Sequence, residues 1–230
     1  MEQYLPALRA AALFDGMDDN RILSILRCMD ARVAQRRKDE PLLRAGERAQ
    51  CMGVLLTGSA LIIQADVWGR RNIMAKLTPG ESFAEPFAAA GGAALNISVV
   101  PGEACEVLWL DINRTLTLCP SACEHHARVV RNLVSVLAKK ALKFNEKITH
   151  MSRRTTREKL LSYLSGESMR QGALNFDIPY DRQQLADYLC VDRSAMCVEL
   201  SRLQREGVLT AVRRHFTLRA DALPPKDFLL

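Results

Sequence analysis

The chain has 230 residues, 48% of them apolar, and a formal net charge of +6, which is enough material for one large core or two small ones. No stretch approaches the roughly 18 consecutive apolar residues of a membrane span, and "MEQYLPALRAAALFDGMDD" at the N-terminus lacks a basic region leading into an apolar core and cleavage site, so a cytoplasmic protein with no membrane contact is expected. Seven cysteines, an odd number without a C-x-x-C pair, are expected as reduced thiols rather than a disulfide framework.

The first thirty residues read as helical: Leu5, Leu8 and Ala12 share one face, and Ile22, Leu23, Ile25 and Leu26 follow the break "DGMDDN". From about residue 32 to 111 the texture changes to short runs, "CMGVLLT", "SALIIQAD", "RNIMAKL", "NISVV" and "CEVLWLD", punctuated by Gly46, Gly58, Gly69, Gly80, Gly91, Gly92 and Gly102. Short strands with turn signals at this spacing predict a compact β-sandwich or barrel.

A long helix is predicted next. Ser121 followed by Glu124 has the pattern of a capping box, in which hydroxyl and carboxylate each satisfy an N–H at the helix start. Ala127, Val134, Ala141 and Ile148 then recur every seven residues, interleaved with Val130, Leu137, Phe144 and Met151. That seam predicts a parallel coiled coil with a second copy in preference to packing within the chain. The flanking Lys139, Lys140, Lys143 and Lys147 read as its solvated face.

Two short helices around a tight corner are predicted in "YDRQQLADYLCVDRSAMCVELSRLQREG". Asp181 is placed to cap the first, with Gln184 three residues on, and Asp192 to cap the second. Leu185, Leu189, Met196, Leu200 and Leu203 point inward, and Ala186 is small where the helices cross. Cys190 stands at the corner, where Gly is usual. "REGVLTAVRRHFTL" adds a glycine-ended helix and a two-stranded wing with Arg213, Arg214 and His215 near its tip. Lysine plus arginine against aspartate plus glutamate number 13 and 14 in residues 1–121, 6 and 2 in 122–152, and 13 and 10 in 153–230. The basic excess therefore lies in the second half, which suits a polyanion there; a solvated basic face is the alternative.

In this order of elements the chain resembles the cyclic-AMP receptor protein and fumarate-nitrate regulator (Crp/Fnr) superfamily of bacterial transcription factors. "LLRAGERAQCMGVLLTGSALI" and "LTPGESFAEPF" resemble its barrel, and "TTREKLLSYL" with "IPYDRQQLADYLCVDRSAMCVELSRLQREGVL" its DNA-binding domain. The resemblance implies an α+β protein: a cyclic-nucleotide-binding-like β-barrel (jelly roll) with N-terminal helices over 1–121, a dimerisation helix over 122–152, and a winged helix-turn-helix over 153–230. It implies a homodimer on a roughly palindromic operator in double-stranded DNA, with a signal sensed in the barrel. Activation of a target gene would add contacts to RNA polymerase.

Carried over position by position, the base-contacting residues are Arg193, Ser194 and Val198, the last where an Arg is common. Arg182 and Gln183 at the first helix, and Arg213 and Arg214 on the wing, fit phosphate contacts. The effector pocket falls on Phe83, Glu85, Leu95 and Asn96. Members that bind a cyclic nucleotide have a Gly-Glu pair for the ribose and an Arg-Ser pair for the phosphate; here Ala84-Glu85 and Leu95-Asn96 stand there. A buried phosphate beside an apolar Leu lacks a charged partner, so cyclic AMP is not the expected ligand and the effector stays open.

The N-terminus has only Cys28, not the cysteine run of iron–sulfur members, so no cluster is expected. Cys119, Cys123, His125 and His126 could form a metal site, but ordinary residues at a helix start is the preferred reading, and no metal is expected. An enzyme of the cupin kind would need histidines on the strands, and residues 32–111 contain none. The remaining alternative is a barrel that regulates a protein partner through its long helix.

Overall fold

The computed structural model describes residues 1–91, 93–116 and 124–219, so Ser121 of the capping pattern, Cys119 and Cys123 lie outside the described residues. The chain divides into two units, Met1–Leu142 and Lys143–Leu230.

In the first unit, helices α1 (Leu5–Ala10) and α2 (Asp19–Cys28) precede the strands, and Asp18 caps α2 by accepting the Arg21 N–H at 2.9 Å. Seven strands follow: β1 (Arg32–Arg36), β2 (Cys51–Thr57), β3 (Ala60–Ala65), β4 (Arg71–Leu77), β5 (Ser82–Phe83), β6 (Ser98–Pro101) and β7 (Cys105–Asp111). A short helix, α3 (Glu85–Ala89), comes after β5, and α4 (Ile112–Leu116), which the sequence pattern did not signal, follows β7. The strands form one sheet in the order β1-β7-β2-β5 and another in the order β4-β3-β6. The expected barrel is thus a jelly-roll-like pair of sheets rather than a closed cylinder.

Burial explains the strand sequences. On β2, Met52, Val54 and Leu56 pack against Leu8, Ile22, Ile25 and Leu26 of the N-terminal helices, while Leu55 joins the core between the sheets. A strand covered on both faces reads as one continuous apolar run, as "CMGVLLT" does. The inter-sheet core takes Leu55, Phe83 and Val107 from one sheet and Ala60, Ile62, Leu77 and Val99 from the other. Gly53 is required there, because a Cβ on it would sit 2.2 Å from Cζ of Phe83. At the turn between β3 and β4 the Asp66 carboxylate accepts the N–H groups of Trp68 and Arg70, leaving Val67 and Trp68 largely in solvent.

Helix α5 runs Glu124–Met151. One face buries His126, Val129, Leu133 and Val136, and Val129 and Leu133 join the cluster formed by β2, β7 and the N-terminal helices. The heptad seam lies off that face: Ala127 and Ala141 are exposed, Val134 and Ile148 are each 62% exposed, Phe144 is 39% exposed, and Val130, Leu137 and Met151 are half-buried.

The second unit holds the end of α5, then α6 (Thr156–Gln171), β8 (Asn175–Asp177), α7 (Arg182–Leu189), α8 (Arg193–Arg205), β9 (Leu209–Val212) and β10 (His215–Leu218), with the strands in the order β8-β10-β9. Thr155 and Glu158 form a capping box on α6. Asp181 and Gln184 form the expected box on α7, with the Asp181 side chain accepting the Gln184 N–H at 2.9 Å and Gln184 Oε1 accepting the Asp181 N–H at 3.1 Å. Asp192 caps α8 by accepting the Ala195 N–H at 2.8 Å. Between the helices Cys190 adopts the left-handed conformation, φ 52°, ψ 53°, that Gly usually supplies. Leu185, Ala186, Leu189, Met196, Leu200 and Leu203 are all buried.

Candidate nucleic-acid interface and sensor site

The orientation of α8 follows from its apolar spacing. Met196, Leu200 and Leu203 turn one face inward, which leaves Arg193, Ser194 and Val198 in solvent, Val198 at 59% exposure. Ser201 and Arg205, also exposed, continue that outward face one heptad beyond Ser194 and Val198. Sequence reasoning missed both, although the seven-residue repeat was available to find them. Arg202 is drawn aside to Glu199 at 3.2 Å, and Arg157 at the start of α6 bridges Glu199 at 3.2 Å and Glu206 at 2.6 Å. Those pairs tie α6 to the far end of α8.

The four expected phosphate contacts differ in setting. Arg213 and Arg214 form the two-residue turn between Val212 and His215, which are paired across the wing, and both arginines are exposed. His215 is turned back, its Nδ1 3.0 Å from Asp177 Oδ1. Gln183 is exposed and donates to Asp187 at 2.8 Å. Arg182 does not extend into solvent: its guanidinium lies over the ring of Phe216, 4.9 Å from the centroid, and its buried Nη1 has no acceptor among the described residues. Burial holds its pKa below the usual value.

The residues expected around an effector are not gathered on an open pocket. Phe83 and Leu95 are buried in the core between the sheets, Phe83 meeting Trp109 edge-on at 5.4 Å between centroids. Asn96, the next residue after Leu95, is exposed. Glu85 follows Ala84, which takes a left-handed backbone at φ 66°, and is itself 1% exposed. Its partner is Lys140 of α5, whose Nζ donates to Glu85 Oε1 at 2.7 Å, to Oε2 at 3.0 Å and to the Ser82 carbonyl at 2.6 Å. Lys140 thus departs from the solvated face expected of it.

Lys147 departs further. It is 3% exposed, its ammonium 4.7 Å from the centroid of Tyr188. Tyr188 stacks on Tyr180 at 4.8 Å and contacts Tyr163, which meets His150 edge-on. Burial lowers the Lys147 pKa to about 8, against an opposing contribution from Cys190, and burial also lowers that of His150. A period-3.6 reading of the sequence places these lysines on a wet stripe; the aromatic ring against Lys147, Tyr188, comes from α7. His126 is buried and its Nδ1 finds no partner among the described residues, whereas His125 is half-buried. No three His, Cys, Asp or Glu side chains among the described residues are grouped to hold a metal, and no helix among them is long and apolar enough to cross a membrane.

Two domain families match the sequence. The cyclic nucleotide-binding domain matches residues 34–121, and the Crp-like helix-turn-helix domain matches residues 158–223. No curated protein sequence matches significantly. Among solved structures, the fold is similar to CLP, the c-di-GMP-responsive global regulator of Xanthomonas campestris, at TM-score 0.71 and 19% identity, covering 88% of this chain and 100% of that one. It is similar to a CooA mutant from Carboxydothermus hydrogenoformans at TM-score 0.70 and 17% identity, covering 93% and 98%. FixK2 from Bradyrhizobium japonicum gives TM-score 0.62 and 22% identity, covering 82% and 92%.

Proposed function

The chain belongs to the Crp/Fnr superfamily of transcription regulators, and from that premise we propose that it acts as a homodimer reading a roughly palindromic operator, with residues 153–230 on the DNA, 122–152 at the dimer seam and 1–121 as sensor. The observation that carries this reading is α8, which buries Met196, Leu200 and Leu203 and turns Arg193, Ser194 and Val198 outward. A guanidinium at the start of such a helix has the fork to take O6 and N7 of a guanine, and the Val198 methyls fit a thymine methyl. Arg213 and Arg214 on the wing tip, and Gln183 at the start of α7, supply phosphate contacts that position the helix without specifying sequence. Exposed Ala127, Val134, Ala141, Phe144 and Ile148 along one side of α5 support self-association, since apolar surface on a helix marks a partner. Paired half-sites would then lie about one helical turn of DNA apart.

Cyclic AMP is not the signal on this reading. Leu95 is apolar and buried where a phosphate would need a cation, and the donors of Lys140 are directed to Glu85 and Ser82. The chain carries no catalytic role in this account. Contacts to RNA polymerase would decide between activation and repression. Selection from random duplexes by the wild-type protein, followed by titration of the winning site at several salt concentrations, tests the proposal. A two-fold symmetric consensus is expected; enrichment of no sequence over background overturns it.

A further inference from the structure

We propose that Lys140 is a built-in occupant of the sensor, its ammonium holding the Glu85 carboxylate that would otherwise anchor a ligand and so latching α5 to the β-sheets without any small molecule. The inference rests on the regulatory reading above and concerns how its sensor is set. Glu85 is 1% exposed, and a carboxylate so buried requires a charged partner and saturated hydrogen bonds. Lys140 provides both. An ammonium has three N–H donors, and three acceptor oxygens stand within 3.0 Å of this one: Ser82 O, Glu85 Oε1 and Glu85 Oε2.

The residues beside Glu85 in sequence are part of the core: Phe83 is fully buried against Trp109, and Ala84 belongs to the same cluster. Lys140 is seven residues beyond Leu133 and four beyond Val136 on the buried side of α5, and it carries that side from apolar contacts to an ion pair. The pair therefore fixes the rotation of the helix about its axis, and with it the direction in which exposed Val134 and Ala141 are presented. With the helix set by an ion pair between the chain's own side chains, DNA binding follows without an added nucleotide.

Protein freed of bound nucleotide, with absorbance confirming it, should be compared with Lys140→Met, Glu85→Gln, the double variant and Lys140→Arg. Two readouts separate the latch from the DNA reading: backbone hydrogen exchange over residues 133–141, and anisotropy of labelled duplexes chosen by the wild type. Exchange at least tenfold faster in the Met and Gln variants is expected, with Lys140→Arg near wild type. DNA affinity should fall at least tenfold in each single variant and no further in the double. The uncharged double variant, which leaves no lone buried charge, serves where a single variant fails to melt cooperatively. Unchanged exchange, unchanged affinity, or a wild type that binds its duplex only after cyclic nucleotide is added would each overturn the latch. A wild type that selects no duplex removes the DNA reading, and exchange alone then decides the latch.

Discussion

The Arg182 guanidinium lies over the Phe216 ring, joining the first turn of α7 to β10, the central strand of the second unit's sheet. A half-buried arginine stacked on a buried aromatic is a packing element before it is a ligand for phosphate. Arg182→Ala should therefore cost about 1 kcal/mol of stability, with Arg182→Lys recovering only part because the planar stack is lost. Thermal melting of the full chain without DNA checks this. A variant that melts like wild type while binding DNA less tightly would return Arg182 to a purely phosphate-contacting role.

Self-association should fail where the stripe is most open. Val134→Glu and Ile148→Glu alter side chains that are each 62% exposed, so they should yield monomer with little change in the fold of either unit. Leu137 is less suitable, since it packs partly against the cluster of N-terminal helices and strands. Light scattering at the concentration used for DNA titration decides the matter: a wild-type monomer bound to DNA contradicts the seam. Loss of the dimer should weaken operator binding steeply, because the second half-site then no longer binds at high effective concentration.

Specificity and affinity should separate by residue. Arg193→Ala should relax base preference at one position in each half-site, a loss of about 1–3 kcal/mol in discrimination, and keep most of the salt-sensitive affinity. Arg213→Ala or Arg214→Ala should weaken all sequences alike and reduce the salt slope by about one. An unaltered consensus from Arg193→Ala would mean that the bases are met further along the outward face of α8, with Ser201 and Arg205 the next to test.

Alkaline stability should report Lys147. Its pKa in the fold is about 8, against a usual 10.5, so between those values the unfolded chain binds more protons than the folded one and stability rises with pH. Below about pH 8 both forms are protonated and the contribution is flat at its minimum. Tyr188, pushed up to about 12 by burial from a usual 10.0, opposes this only above its usual value, and His150 acts only below its own. From about pH 8 to about 9.5 the wild type should gain about 1–2 kcal/mol relative to Lys147→Met, a difference in which the opposing effect of the Cys51 and Cys105 thiols, pushed up by burial, cancels. An identical pH profile in the variant would rule Lys147 out as the source.

Millimolar cyclic AMP or cyclic GMP should leave both the melting temperature and the affinity for DNA unchanged. A calorimetric dissociation constant in the micromolar range would show that Lys140 can leave Glu85 for a phosphate.

Local signals were the legible ones. Asp181, Gln184 and Asp192 announce two helix starts because capping is settled within three residues, and the apolar run of β2 announces a strand covered on both faces. Cys190 was legible as a corner, though its left-handed backbone was visible only in the structure. Long-range partners were not legible. Lys140 and Glu85 are fifty-five positions apart, and period 3.6 places a lysine on a face without saying what covers that face. Lys147 beneath Tyr188 and Arg182 over Phe216 were not legible for the same reason: a long aliphatic stem lets a charged residue take an interior place while the sequence pattern still reads as surface.

The contact of Phe83 with Trp109 gives the first unit an optical handle. The chain has two tryptophans; Trp68 stands 81% exposed on its turn, and Trp109 meets Phe83 edge-on, two residues before Glu85. Replacing Trp68 by Phe leaves a single indole whose emission wavelength and quenching follow the polarity and closeness of the packing around Phe83, so any rearrangement of the core beside Glu85 can be followed by intrinsic fluorescence, in real time and without a label.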